Sequence, residues 1–212
     1  MEQAGRVRTF VAVPLDERAR QAVARWQNRL ATLDPVVKWV EPANLHLTLA
    51  FLGDVAAADL GRVSEAVARG ASGYGPFVLQ FGEFGVFPGW RDPRVLWIGV
   101  AGGAQMLTEL AASVTRELET CGFPPGGRPF RPHLTVGRFR RSPDPGNLRT
   151  ATGRPPGVPP VRVEQVNLMA SRLTPQGPVY TCLASTVLRE NGGNGDDDGG
   201  EAKGAGGGAV PH

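Results

Sequence analysis

The tripeptide His-Leu-Thr stands at His46–Thr48 and again at His133–Thr135, and the one remaining histidine is the last residue, His212. Both copies run on into an apolar residue, Leu49 or Val136, so the shared pattern is His-x-Thr-apolar. Imidazole is the side chain whose unperturbed titration falls near neutral pH. A matched pair can divide proton transfer, one ring giving a proton while the other takes one. In a strand, residues two apart share a face. His46 and Thr48 then share one face, while Leu45, Leu47, Leu49 and Phe51 share the other and look into a core. His133 and Thr135 repeat this with Phe130, Leu134 and Val136 behind them. Two such strands brought together would place two imidazoles and two hydroxyls around one small anion. A lone strand histidine more often makes a structural hydrogen bond, and a lone strand threonine serves β-propensity. It is the duplication, which uses both internal histidines, that points to chemistry.

These motifs must be carried by ordered elements. Val7–Val13 reads as a strand closed by Pro14, and Asp16 as the N-cap of a helix to about Leu33 with Ala19, Val23, Trp26, Leu30 and Leu33 on one face. Val36–Val40 and Leu45–Leu52 read as strands, Ala56–Arg69 as a helix, and Phe77–Phe87 as a strand region. Arg94–Val100 reads as a strand and Ala104–Cys121 as a helix aligning Leu107, Leu110, Val114 and Leu118; the second motif strand follows. From Val7 to His46 is 39 positions and from Val95 to His133 is 38, a matched strand–helix–motif spacing. Residues 142–160, rich in Pro, Gly and Arg, read as an exposed loop, and Val161–Ser171 and Val179–Leu188 as strands joined by a turn at Thr174–Gly177. The expected fold class is α+β: two pseudo-symmetric lobes, each a mainly antiparallel sheet with helices packed outside, and an active-site cleft between them. Residues 1–190 make that bilobal domain. Residues 191–212 are Gly-rich and acidic and are expected to be disordered and dispensable for chemistry.

Composition narrows the function classes. The chain has 212 residues, enough for one sizeable domain or two intimately packed lobes. No apolar run of membrane-spanning length and no signal-peptide pattern is present, so a cytoplasmic protein without a membrane partner is expected. Cys121 and Cys182 stand alone without a CxxC spacing and suit reduced thiols; with the two histidines committed elsewhere, no closed zinc ligand set remains. The net charge is +3, and because residues 191–212 carry a net −3, the body carries +6. Lys38 and Lys203 are the only lysines, so this basicity is nearly all arginine. Arginine matches phosphate bidentately, although an arginine bias also follows from genome composition.

The segments Trp39–Gly53, WVEPANLHLTLAFLG, and Arg128–Arg138, RPFRPHLTVGR, resemble the 2H phosphoesterase superfamily. Within it they most resemble the RNA 2′,3′-cyclic phosphodiesterases, also called 2′-5′ RNA ligases, over about residues 6–189. The resemblance implies a cofactor-free and metal-free hydrolase, acting as a monomer, that opens an RNA 2′,3′-cyclic phosphate end to a 2′-phosphate. It makes His46 the proton donor and His133 the proton acceptor, roles that the residues themselves leave interchangeable. Thr48 and Thr135 can hydrogen-bond the non-bridging oxygens, and the family pattern puts Arg138 on the phosphate. A regular strand would turn Arg138 away from His133, but Gly137 allows a bulge that re-aims it. Arg128 and Arg131 flank the motif as RNA-backbone contacts or as solvated surface. Alternation puts Phe51 in the core and leaves Trp39, Phe84, Phe87 and Trp90 as stacking candidates. Two other readings stand: 2′-5′ ligation by the reverse reaction, and a non-catalytic nucleotide-binding module on the same fold.

Overall fold

The computed structural model describes residues 5–31, 37–126, 129–140, 157–175 and 177–189. Residues 141–156, the 191–212 tail and Arg128 lie outside that set, so the expectations for them rest on sequence. The described chain runs β1 (Arg6–Pro14), α1 (Glu17–Ala31), β2 (Val37–Trp39), β3 (His46–Ala56), α2 (Leu60–Ala71), β4 (Phe77–Phe87), β5 (Val95–Gly102), α3 (Ala104–Thr120), β6 (His133–Phe139), β7 (Val161–Val163), β8 (Gln165–Thr174) and β9 (Gly177–Val187). Asp16 caps α1 as its position suggests: the Ala19 backbone N–H donates to Oδ1 at 2.7 Å.

The strands form two sheets, one of order β3-β1-β8-β9 and one of order β2-β6-β5-β4-β7, and every pairing is antiparallel. Removing β2 from the second leaves β6-β5-β4-β7, which matches the first strand for strand and puts each motif strand beside the first strand of its half. This is the two-lobed α+β arrangement that the repeat spacing suggests.

The helices cover the faces opposite the motifs. On α1, Trp26 stacks on Phe84 of β4 at 4.2 Å between ring centroids and meets Trp39 of β2 edge-on at 5.8 Å. The amide of Gln27, buried in the same helix, donates to the backbone carbonyls of Val40 and Val136. Thus α1 follows a strand of the first sheet yet seals the second. α2 and α3 pack together so closely that a Cβ on Gly70 would stand 2.5 Å from Val114 Cα, and this pair reaches β3, β8 and β9 of the first sheet. One apolar core joins Val11, Leu47 and Leu168 of one sheet to Leu79, Ile98 and Leu134 of the other. That continuity fixes one motif strand relative to the other.

Among the boundaries that differ from expectation, three bear on the topology. β3 extends to Ala56 because it pairs with β1 along its whole length, ending at Arg6 opposite Ala56. The following helix therefore begins at Leu60, after a 3-10 turn at Ala57–Asp59, and not at Ala56. The strand expected over Val161–Ser171 is two strands, because the chain passes from the second sheet to the first at Glu164.

Candidate active site

In β3, Leu45, Leu47 and Leu49 are buried as alternation requires, while His46 and Thr48 are only partly covered. Phe51 departs from the pattern: it is 56% exposed and does not enter the core. The register explains the departure. Ala12 lies opposite Thr48 but Val11 lies opposite Ala50, so Leu49 is an extra residue on β3, a β-bulge. Side chains beyond a bulge change face. Ala50 joins the core, and Phe51 emerges on the side of His46, 6.0 Å from the Phe10 ring that itself lies 4.8 Å from the imidazole.

The second motif repeats this construction. Trp97 lies opposite Thr135 but Leu96 lies opposite Gly137, which makes Val136 the extra residue. Val136 and Gly137 are both buried, and Arg138 comes round to the face of His133 and Thr135. A Cβ on Gly137 would stand 2.5 Å from Val37 Cγ1, so glycine is required for β2 to lie against the bulge. From His46 to Leu52 and from His133 to Phe139 the two strands have the same succession of partly exposed and buried residues. Phe51 and Arg138 are therefore counterparts, five residues after each histidine. Alignment of the two motifs against each other was the sequence signal for Phe51.

The histidines are held alike. Each Nδ1 lies at the carbonyl of the residue two before it, 2.7 Å from Asn44 O for His46 and 2.6 Å from Arg131 O for His133. A carbonyl can only accept, so Nδ1 carries the hydrogen and each neutral ring keeps its lone pair on Nε2. The Thr48 hydroxyl stands 3.0 Å from His46 Nε2, where it donates to the neutral ring or accepts from the protonated one. Aromatic pairs clamp both rings: Phe10 and Tyr180 against His46, at 4.8 and 5.4 Å, and Phe87 and Trp97 against His133, at 5.1 and 6.3 Å.

Burial lowers the affinity of both imidazoles for a second proton, the carbonyl bonds oppose this, and the Arg138 cation lowers both further. His46 also feels the charge of His133, so the two rings lie within electrostatic reach of one another. Burial raises the Tyr180 phenol, which stays a neutral donor, and Arg138 acts on it as well. One guanidinium thus influences three cleft groups, which agrees with its re-aimed position.

Other candidates fall in different places. Trp39 and Phe84 are taken up against Trp26 of α1, whereas Phe87 lies on His133 with the Arg131 guanidinium 6.0 Å above its ring. Trp90 packs partly buried against the core. Tyr180, Phe10 and Trp97 were missed in sequence, since none lies on a motif strand. Among the described residues no three His, Cys, Asp or Glu side chains gather as a metal-ligand group, and no helix is long and apolar enough to cross a membrane.

The model of the LigT-like phosphoesterase family matches the chain twice, over residues 13–97 and 98–180, one match for each half. An RNA 2′,3′-cyclic phosphodiesterase of Methanothermobacter thermautotrophicus is 42% identical over 178 residues, 83% of this chain and 96% of that protein. A crystal structure of a Thermus thermophilus protein superposes with a TM-score of 0.71 at 32% identity, covering 87% of this chain and 99% of the other. The crystal structure of Escherichia coli LigT complexed with 3′-AMP superposes with a TM-score of 0.70 at 27% identity, over 86% of this chain and 98% of the other.

Proposed function

Because the chain belongs to the LigT-like phosphoesterase family, we propose that it opens RNA 2′,3′-cyclic phosphate ends to 2′-phosphate ends with two histidines and no metal. The observation that carries this reading is the matched pair of Nδ1–carbonyl bonds, which leaves both Nε2 atoms for proton transfer in one cleft.

The strained cyclic diester needs water deprotonated on one side of phosphorus and the leaving ribose oxygen protonated on the other. Water, its proton passing to His133 Nε2, forms the new P–O bond. The P–O3′ bond breaks, and O3′ takes the proton from His46 Nε2. The product is a 2′-phosphomonoester with a free 3′-hydroxyl, and the two rings have exchanged protonation states. Assignment of donor and acceptor follows the family resemblance. Charge on the non-bridging oxygens is met by the Thr48 and Thr135 hydroxyls and by Arg138. The carbonyls at Nδ1 hold the rings in register and stabilise either ring when it becomes cationic.

Single variants His46→Ala and His133→Ala, assayed on a cyclic-phosphate oligonucleotide, should each lower kcat by about 10²–10⁴-fold with circular dichroism unchanged. Phosphorus NMR of the product should show a 2′-phosphate. Near wild-type turnover in either variant removes the pair from the mechanism, and a 3′-phosphate product reverses which ribose oxygen leaves.

A further inference from the structure

Gln27 is a polar residue in the apolar stripe of α1, among Val23, Trp26 and Leu30, and it is 4% exposed. An amide is costly to bury unless its hydrogen-bonding groups are paired. Here the amide nitrogen carries two hydrogens and meets two carbonyls, Val40 O at 2.9 Å and Val136 O at 3.0 Å. The Val40 backbone N–H also donates to Val136 O, at 3.0 Å, so these groups close a ring. Val136 is the extra residue of the β6 bulge, passed over in the register with β5. Its carbonyl belongs to the planar peptide that joins it to Gly137, and that peptide sets the direction in which the chain leaves for Arg138. With glycine on its far side the peptide turns more freely, because no Cβ restricts the backbone there. Two donors on the one oxygen hold its plane. The amide is itself held in place, because the adjoining Trp26 stacks on Phe84 and meets Trp39, the residue opposite Gly137.

We propose that Gln27 is a positioning residue for the reaction, holding the Val136 peptide so that Arg138 stays aimed at the phosphate. The proposal rests on the phosphate-binding role of Arg138 proposed above. Gln27 touches no reacting atom, since α1 lies on the face of the second sheet opposite the motif. It acts from behind the sheet, through one peptide unit, on a guanidinium at the other face. The same amide holds Val40, from which the chain runs through the turn Pro42–Asn44 to the carbonyl that accepts from His46 Nδ1. One side chain thus ties the bulge of the second motif to the approach of the first. Besides burial, the groups that act on the imidazoles are the Asn44 and Arg131 carbonyls, His133 upon His46, and Arg138. Of these Arg138 is the one that follows the held peptide, so a loosened peptide is felt at both histidines through its charge.

The test compares Gln27→Met, which keeps the length and packing but has no donor, with Arg138→Gln and with the double variant. In Gln27→Met, kcat/KM for a cyclic-phosphate oligonucleotide should fall about ten- to a hundredfold, the scale of a misplacement of about 1 Å. Its kcat/KM optimum should move to higher pH, because the cation that depresses both imidazoles is drawn away. Added to Arg138→Gln, the same change should cost less than about threefold, since the group it positions is already gone. Val23→Ala, whose apolar side chain makes neither bond, opens a cavity in the same helix; it should lower Tm and leave the pH optimum in place. Should Gln27→Met not fold by circular dichroism, Gln27→Asn, its amide one methylene short of the carbonyls, takes its place with the same expectations. A wild-type pH optimum, or full additivity with Arg138→Gln, overturns the proposal and leaves Gln27 a packing residue. If the wild-type protein opens no cyclic phosphate, the proposed function fails, and the Kd of inorganic phosphate for the same proteins decides. Binding weakened by Gln27→Met alone, but not in the Arg138→Gln background, then supports the positioning role, and any other pattern overturns it.

Discussion

Phe51 and Arg138 hold one position in the two halves and bring to it opposite chemistry. In the proposed reaction Arg138 meets the charge of a phosphate; Phe51 offers a π-face to whatever adjoins it. The Phe51 ring is largely in water, so its removal forfeits little buried area, and surface substitutions of this kind usually change stability by less than about 0.5 kcal/mol. Base–aromatic stacking contributes about 1–3 kcal/mol per base. Phe51→Ala should therefore leave Tm almost unchanged while raising KM for a cyclic-phosphate oligonucleotide by about fivefold or more. Steady-state kinetics beside a thermal melt separates the two effects. A variant with wild-type KM would mean that no base reaches this ring, and a large fall in Tm would mean that the ring serves packing.

At the scale of the element, what positions the cleft is less the strand than the interruption in it. Both motif strands carry an extra residue directly after His-x-Thr, and each bulge brings the fifth residue back to the histidine face. The strand positions, the Asp16 cap and the inward leucines were legible because period and capping are local. The bulges were only half legible. Gly137 announced one, but Leu49 carries no such mark, because a bulge is settled by the register of the partner strand, which a single segment does not encode. For the same reason the split at Glu164 and the aromatic partners on β1, β5 and β9 were hidden: they are brought in by pairings between distant parts of the chain. The Gly137 bulge can be tested directly. In Gly137→Ala the new methyl meets Val37 and Trp39 of β2, an overpacking that costs about 1–3 kcal/mol, and Arg138 is displaced with the strand. Tm should fall by several degrees and kcat/KM should fall with it. Gly61→Ala is the control, since its Cβ would have nothing within 4 Å. Equal melts and equal rates for the two variants would show that the bulge tolerates a side chain and does not set Arg138.

For the whole molecule the decisive property of the proposed mechanism is that one cleft holds two imidazoles, the Arg138 guanidinium and, during turnover, one phosphate. In the free protein, burial and Arg138 both depress the histidines below the ordinary 6.5. A bound phosphate supplies the opposite charge and raises them. The proposed reaction needs one ring neutral and one protonated, so the rate should follow a bell whose two apparent values belong to the coupled pair. The kcat/KM profile reports the free protein and kcat the complex, so the kcat/KM optimum should lie at lower pH than the kcat optimum. Stability follows the same groups. The unfolded chain binds protons on these histidines more readily than the folded one, so their contribution is fully present above about pH 6.5 and is lost as pH falls from there through the lowered values of the folded state. Urea denaturation at pH 8 and pH 5 should show the loss. Arg138→Gln should shrink it and move the kcat/KM optimum upward, while lowering the rate itself. A profile flat from pH 5 to 9, or a kcat optimum no higher than that of kcat/KM, would mean that the two rings do not share the proton on which the mechanism depends.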